Sequence, residues 1–305
     1  MEKSGKIVPS KCVGYKLYED GFKYTSRDTI LYALGIGVSQ DPMDQKDLAY
    51  TYENSEGFQT VPSFGTVLGK FDRLFEALLQ TPGIPEFNPM MLLHGEQKII
   101  LHQPLKTDAS VINSCRIKNV YDKRTGALIV LEINTTDAQT KELLCTNESS
   151  VFIRGLGNFG GDPGQSIRST RPSTSPDLQI IVKTNENQAI LYRLSGDFNP
   201  LHIDPDMSQL GGFERPILHG LCTFGIATHG IIKACLNGNS DQVHSISARF
   251  SSAVIPGDEL RINVWKNHSS IIPFEVERVA NGAKCLTNGV LTVRKTSLIP
   301  QQSRL

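Results

Sequence analysis

Asp197, Asn199 and His202 place a carboxylate, an amide and an imidazole within the stretch Tyr192-Arg-Leu-Ser-Gly-Asp-Phe-Asn-Pro-Leu-His202. An Asn-Pro pair favours an extended turn over a helix, because the proline ring fixes its own φ and crowds the residue before it. Three polar side chains on such a turn can converge on one point. A carboxylate accepts a proton from water, and an imidazole accepts or donates one near neutral pH, so the set suits acid–base handling of water. Farther on, Arg215-Pro-Ile-Leu-His-Gly-Leu-Cys222 puts Gly220 near the head of an apolar run. That run predicts a helix from Ile217 to Leu236, stopped by Asn237-Gly238. Backbone N–H groups at a helix start stabilise negative charge growing on a carbonyl oxygen, and a glycine there lets the carbonyl approach. The residues describe attack of water on a molecule activated by its carbonyl. A surface turn capped by its own Asp and Asn has the same short core.

The elements that must carry these residues come in two similar sets. Alternating and β-branched residues predict strands at Lys98–Leu101, Ser110–Tyr121, Ala127–Thr135 and Leu143–Arg154. Four more are predicted at Val243–Val254, Glu259–Trp265, Ile271–Val279 and Ala283–Val293. Turns such as Pro256-Gly-Asp and Asn281-Gly make the strands antiparallel. Each set follows a His-Gly pair, with Leu92-Leu-His-Gly-Glu96 echoing Ile217-Leu-His-Gly-Leu221. Likewise Tyr32-Ala-Leu-Gly-Ile-Gly37 echoes Tyr192-Arg-Leu-Ser-Gly-Asp197. A helix ahead of consecutive antiparallel strands is an α+β unit in which the sheet wraps its helix, here expected twice. Only the second copy carries Asp-x-Asn-Pro-x-His.

Asn185 and Gln188 have capping-box spacing ahead of a helix over Ala189–Leu194. The Gly-, Pro-, Ser- and Thr-rich stretch from Gly155 to Asp177 reads as a connector. The expected division is therefore a first repeat at 1–155, a linker at 156–177 and a second repeat at 178–305. Gly155-Leu-Gly-Asn-Phe-Gly160 spells G-x-G-x-x-G, but Gly161-Asp-Pro-Gly follows where a dinucleotide site needs a helix. No nucleotide site is expected there.

With 305 residues, 39% hydrophobic and 20% charged, the chain can build two domains or one large double unit. Its 31 Lys and Arg balance 31 Asp and Glu with no basic block, so no nucleic-acid partner is expected. Met-Glu-Lys-Ser-Gly-Lys leads into no apolar signal core, and no apolar run approaches the ~20 residues of a membrane span. Six scattered cysteines without a C-x-x-C pair predict reduced, buried thiols. Glycosylation triplets at Asn134, Asn147 and Asn267 are accordingly read as chance. Histidines 102, 229, 244 and 268 sit singly and no H-E-x-x-H occurs, so neither metal nor bound cofactor is expected.

From Tyr192 through His219-Gly220 the chain resembles the hydratase 2 family, the MaoC-like (R)-specific enoyl-CoA hydratases. The resemblance implies a double hot dog fold. It also implies a hydro-lyase of fatty acid β-oxidation that reversibly hydrates a trans-2-enoyl-CoA to the (3R)-3-hydroxyacyl-CoA. Asp197 and His202 would be the acid–base pair, Asn199 would orient the water and Gly220 would be the oxyanion contact. His94, Gly95 and Lys123 match CoA contacts, and Phe250 a position beside the thioester and pantetheine. Phe198, Pro200 and Leu201 belong to the same substrate surface. Tyr32, Glu53, Tyr192 and His219 match supporting residues.

Arg249 either meets a CoA phosphate or is a solvated strand arginine. Gly225, Ala227, Gly230 and Ala234 admit either close sheet packing or a thin acyl chain. The first half would supply the partner surface that a single hot dog obtains by dimerising, giving one site per chain; a homodimer of whole chains stays open. Ser303-Arg304-Leu305 is similar to the Ser-Lys-Leu tripeptide, which implies an import receptor and the peroxisomal matrix. No dehydrogenase or sterol-carrier segment accompanies the unit, which is expected to stand alone.

Two other functions fit parts of this pattern. An acyl-CoA thioesterase on the same fold would direct water to C1 rather than C3. A non-catalytic acyl-CoA binder would have no use for Asp197, Asn199, His202 and Gly220 together.

Overall fold

The structure, a computed structural model, describes residues 5–69, 71–165, 171–266 and 270–294. Its first half contributes β1 (Lys16–Tyr24), β2 (Leu92–Leu101), β3 (Ala109–Asp122), β4 (Gly126–Asp137) and β5 (Leu143–Arg154). The second contributes β6 (Leu178–Lys183), β7 (Val243–Phe250), β8 (Glu259–Val264), β9 (Ile271–Arg278) and β10 (Lys284–Val293). All ten join one sheet in the order β1-β3-β4-β5-β2-β7-β10-β9-β8-β6, every neighbouring pair antiparallel. The order is the same read outward from the β2–β7 seam, so the halves are true structural repeats. Glu96 to Ile100 pair with Arg249 to Ser245 across that seam.

Helices α1 (Pro9–Cys12), α2 (Ser26–Gly35), α3 (Gln45–Thr51) and α4 (Phe71–Gln80) belong to the first half. Helices α5 (Gln188–Tyr192), α6 (Pro205–Leu210) and α7 (Gly220–Cys235) belong to the second. α7 is apolar on nearly every side, as a helix enclosed by protein must be. Leu221, Phe224, Ile226, Ile231 and Ile232 are all buried, in a core shared with Tyr32, Ile36, Phe64 and Leu68 of the first half. α4 is its shorter counterpart, sealing Leu74 and Leu78 into a separate core with Ile117, Ile129 and Val151.

Four expectations are corrected. β1 and β6 are missing from the predicted strands, and they are the two edges of the sheet. On β1, Lys16, Glu19, Asp20 and Lys23 keep the edge charged and blur the alternation, whereas β6 is short and turns Ile181 (51% exposed) to solvent, so its alternation of burial is not one of apolar and polar types. α7 begins at Gly220 rather than Ile217, because Leu218 N–H is bound to the Val254 carbonyl at 2.7 Å and His219 is extended (ψ 133°). It does end before Asn237 and Gly238, whose φ of 52° and 78° leave the helix. Only half of the capping box forms, from Asn185 N–H to Gln188 Oε1, and α5 yields after Tyr192 to a 3₁₀ turn at Arg193–Ser195. Lastly, the two His-Gly pairs are not equivalent. His94-Gly95 lies in strand β2, whereas His219-Gly220 opens a helix. Tyr32 and Tyr192 do correspond, each on the helix after its repeat's first strand, with ring centroids 5.9 Å apart.

The glycine-rich loop from Gly155 to Gly160 opens no helix among the described residues. Its Asn158 and Gly160 N–H groups close on the Asp122 carboxylate at 2.9 Å each, so a carboxylate occupies the donors a phosphate would use.

One buried ionic cluster ties the halves together. Asp47 of α3, 7% exposed, meets His229 at 3.2 Å and Lys233 at 2.9 Å on α7, and accepts Ser39 N–H at 3.1 Å. Burial alone would raise the Asp47 carboxyl, but the His229 and Lys233 hydrogen bonds and Ser39 N–H hold it well below the usual range. Removing Asp47 deprives His229 of its carboxylate, while Lys233, about a third exposed, keeps Asp44. Asp47→Ala should therefore cost about 2–3 kcal/mol of unfolding free energy in urea titrations, less than a fully buried pair because Lys233 keeps Asp44. A loss below about 1 kcal/mol would show that the cluster contributes little.

Candidate active site

The Asp197 turn follows directly on α5. Gly196 reverses the chain at φ 122°, where side chains rarely fit. Asn199 is extended (ψ 120°), as the residue before a proline, and Pro200–His202 make a second 3₁₀ turn. Asn199 N–H donates to Asp197 Oδ1 at 3.2 Å, and Leu201 N–H donates to Asn199 Oδ1 at 3.1 Å. Asp and Asn thus cap the turn, and the same turn carries His202 inward.

His202 and His219 stack with ring centroids 3.7 Å apart. His202 Nδ1–H donates to the Ile217 carbonyl at 2.8 Å, and His219 Nε2–H donates to the Asp197 carbonyl at 3.2 Å. In the neutral rings this leaves His202 Nε2 and His219 Nδ1 as lone-pair nitrogens. Each of Asp197, His202 and His219 offers an atom within 4.8 Å of the others. Burial, assisted by the neighbouring His202, pushes the His219 imidazole down to about 2. Burial also lowers His202, against the Asp197 charge and the Ile217 hydrogen bond. Both rings are therefore neutral near pH 7. Tyr192 covers His219 at 4.9 Å between centroids, and Tyr32 backs Tyr192; both rings are fully buried.

Gly220 opens α7 beside this cluster and is exposed. Its N–H belongs to the first helical turn, where no carbonyl of the helix can accept it. A Cβ there would lie 3.0 Å from the Phe250 ring, which would have to give by a few tenths of an ångström to admit a side chain. Phe250, at the end of β7, meets His94 of β2 edge-on at 4.8 Å. The β2–β5 register slips between His94 and Glu96, which makes Gly95 a bulge, a common device for re-aiming side chains beside sites. Burial raises the Glu96 carboxyl against the pull of Arg249, which faces it across the seam, and of Lys123. Lys123 also donates to the Pro163 carbonyl. One continuous strip therefore runs from Asp197 and His202 over Gly220, Phe250 and His94 to Gly95, crossing the seam, with Lys123 and Arg249 at its far end.

Two family models match the chain, the MFE-2 hydratase 2 N-terminal domain over residues 22–155 and the MaoC like domain over 168–288. A probable enoyl-CoA hydratase 2 of Dictyostelium discoideum is 36% identical over 289 residues, covering 93% of this chain and 95% of that protein. The chain belongs to the MaoC-like hydratase 2 family. The peroxisomal enoyl-CoA hydratase 2 of Arabidopsis thaliana is 38% identical over 266 residues, 83% of this chain and 85% of its own. A MaoC-like dehydratase from Phytophthora capsici superposes with a TM-score of 0.85 at 31% identity, covering 95% and 99% of the two chains. The ten-stranded sheet with its enclosed helices is thus the double hot dog of the hydratase 2 family.

Glu53 stands apart from the strip. It is exposed, in the turn between Tyr50 and Gln59, both of which bond Gly238 at the far end of α7. The sixteen residues of α7 put roughly 24 Å between that end and Gly220. Phe198 is half exposed under the Arg193 guanidinium, Pro200 is exposed, and Leu201 packs beside Gly211 on the turn's rim. Gly225 is filled by Ile36 and Tyr32, and Gly230 by Ile262, so these glycines serve packing. A hollow of about 720 Å³ lined by Lys46, Phe58, Gln59 and Asn237 also sits at the far end, away from the chemistry. Sequence reading left out the Ile217 carbonyl that sets the His202 tautomer, which no residue type signals. It also left out Arg193, which stood inside the motif.

Asp197, His202 and His219 are the described residues that could approach a metal ion as a set.

The depressed histidines make the fold acid-sensitive. His94 is held down to about 4 by burial and His219 to about 2, so the folded chain declines protons that the unfolded chain takes below about pH 6.5. Their contribution is intact above pH 6.5 and falls as pH drops from 6.5 to 4. Each histidine removes about 1.4 kcal/mol per pH unit there. Urea midpoints should fall steeply between pH 7 and pH 5. A flat profile would mean that these rings are protonated in the fold.

Proposed function

We propose that this chain adds water to the 2,3 double bond of a trans-2-enoyl-CoA, and removes it in reverse. The observation that carries the reading is the meeting of Asp197 and His202 with the free helix N-terminus at Gly220. Water lies between the Asp197 carboxylate and His202 Nε2. Its oxygen bonds to C3 while the pair takes one of its protons, and that proton is returned to C2, so one H₂O is added. Charge that gathers on the thioester oxygen is met by Gly220 N–H and the positive end of α7. Asn199 holds the turn and lends its amide to the water. His219 and Tyr192, with Tyr32 behind, keep the pocket's wall in place.

The CoA portion lies along Phe250, His94 and Gly95 toward Lys123, with Phe198, Pro200 and Leu201 on the rim. Glu53 plays no part in this reading. The product is the (3R)-3-hydroxyacyl-CoA, and the setting is peroxisomal fatty acid β-oxidation. Repeats 1–155 and 178–305 with the linker 156–177 build one site, and CoA arrives with the substrate as the only cofactor. Ser303-Arg304-Leu305, outside the described residues, is proposed as the import address; a tagged chain without it should stay in the cytosol. A homodimer of whole chains is the proposed assembly, to be checked by light scattering.

The deciding experiment incubates the chain with a trans-2-enoyl-CoA in the presence of a chelator. Loss of enone absorbance without thiol release, with (3R) product by chiral analysis, supports the reading. Release of free CoA would make it a thioesterase, and no turnover would make it a binder. Because burial lowers His202, kcat/KM should hold through pH 6.5 and decline only in more acid solution.

A further inference from the structure

The turn that carries Asp197 bends at Gly196, whose positive φ a side chain rarely adopts. A Cβ at Gly196 would meet nothing within 4 Å, so the φ of 122° rather than crowding calls for glycine. Asn199 N–H holds the carboxylate directly at Oδ1 (3.2 Å), and three further ties brace the turn about Gly196. One is the Gly196 N–H bond to the Arg193 carbonyl at 3.0 Å, and another is His219 Nε2–H to the Asp197 carbonyl at 3.2 Å. The third crosses the bend. The Arg193 guanidinium lies 4.9 Å from the centre of the Phe198 ring, so residues on opposite sides of Gly196 and Asp197 are clasped together. Arg193 Nε is buried and makes no hydrogen bond, so the side chain's position is not explained by an ion pair or a cap at that nitrogen.

We infer that Arg193 is a positioning residue, which helps aim the Asp197 carboxylate by clasping Phe198 across the Gly196 bend. It acts through the turn and touches no reacting atom. The inference rests on the proposed hydration for its kinetic consequence, although the clasp itself is independent of the reaction. Displacing a reacting group by a fraction of an ångström slows chemistry far more than it weakens binding.

Arg193→Gln, Phe198→Ala and the double variant should be compared in the full chain. If one clasp is lost in each, kcat falls about tenfold in all three, and the double variant is no worse than the poorer single one. Arg193→Lys, which keeps a cation over the ring, should lose less than about threefold. KM should move less than threefold in Arg193→Gln. Amide exchange at residues 196–199, read at equal global stability, should quicken at least tenfold in Arg193→Gln. Multiplying effects of the two substitutions, or unchanged exchange, would overturn the clasp. Faster exchange in a chain that turns over no enoyl-CoA would support the clasp and overturn the hydratase reading instead.

Discussion

Asp197→Asn and His202→Ala should each lower kcat by at least ~10²-fold in a chain that still folds, the usual scale for a lost acid–base group. The two act on one water, so their effects should not multiply: the double variant should be about as slow as the worse single one. Asp197 and His202 carry different burdens in the fold. Asp197 accepts Asn199 N–H, so Asn, which keeps a side-chain carbonyl, preserves the turn while removing the charge. His202 is tied through Nδ1 to Ile217, and alanine breaks that bond too, so a thermal melt must accompany the rate. Near-normal turnover in a folded Asp197→Asn chain would remove the carboxylate from the mechanism. The same result for His202→Ala would transfer the base role to His219, whose Nδ1 is buried beside it.

These side chains were legible in sequence because their chemistry and their turn are encoded in the same few residues. Pro200 forces Asn199 to be extended, and Asn199 then caps its own turn, so local rules suffice. The strands of the sheet interior were legible for a similar reason, since burial imposes alternation or continuous apolar runs. The edges were not, because β1 carries charge that discourages further pairing and the short β6 exposes an isoleucine where a polar residue would mark the alternation. Glu53 could be matched to a pattern, but its place is set by where the α3 turn docks on α7, which is a tertiary fact. The paired His-Gly motifs mislead for the opposite reason. His94 and His219 reach neighbouring parts of the strip by different routes, one through a strand bulge and one through a helix start. Local similarity did not register equivalent positions, whereas Tyr32 and Tyr192 did, because each sits in the same step of the repeat.

Residues 178–305 expressed alone should be poorly soluble and show at least ~10³-fold less activity than the whole chain. Most of α7 is buried, and much of that cover comes from the first half. Tyr50 bonds the Gly238 carbonyl at 2.6 Å and Asp47 pairs with His229 and Lys233, while Ile36 and Tyr32 press against Gly225. Gln188 bonds the Gly35 carbonyl and Arg294 bonds the Leu101 carbonyl, so both ends of the second repeat are anchored in the first. Cutting the chain at the linker also exposes β7 along its seam with β2, an unpaired edge that invites aggregation. The site loses Tyr32 behind Tyr192 and His94 against Phe250 at the same stroke. Co-expression of residues 1–177 should restore both solubility and turnover, which separates a missing partner from a misfolded fragment. A soluble second repeat with full activity by itself would mean that the first repeat contributes neither core nor site.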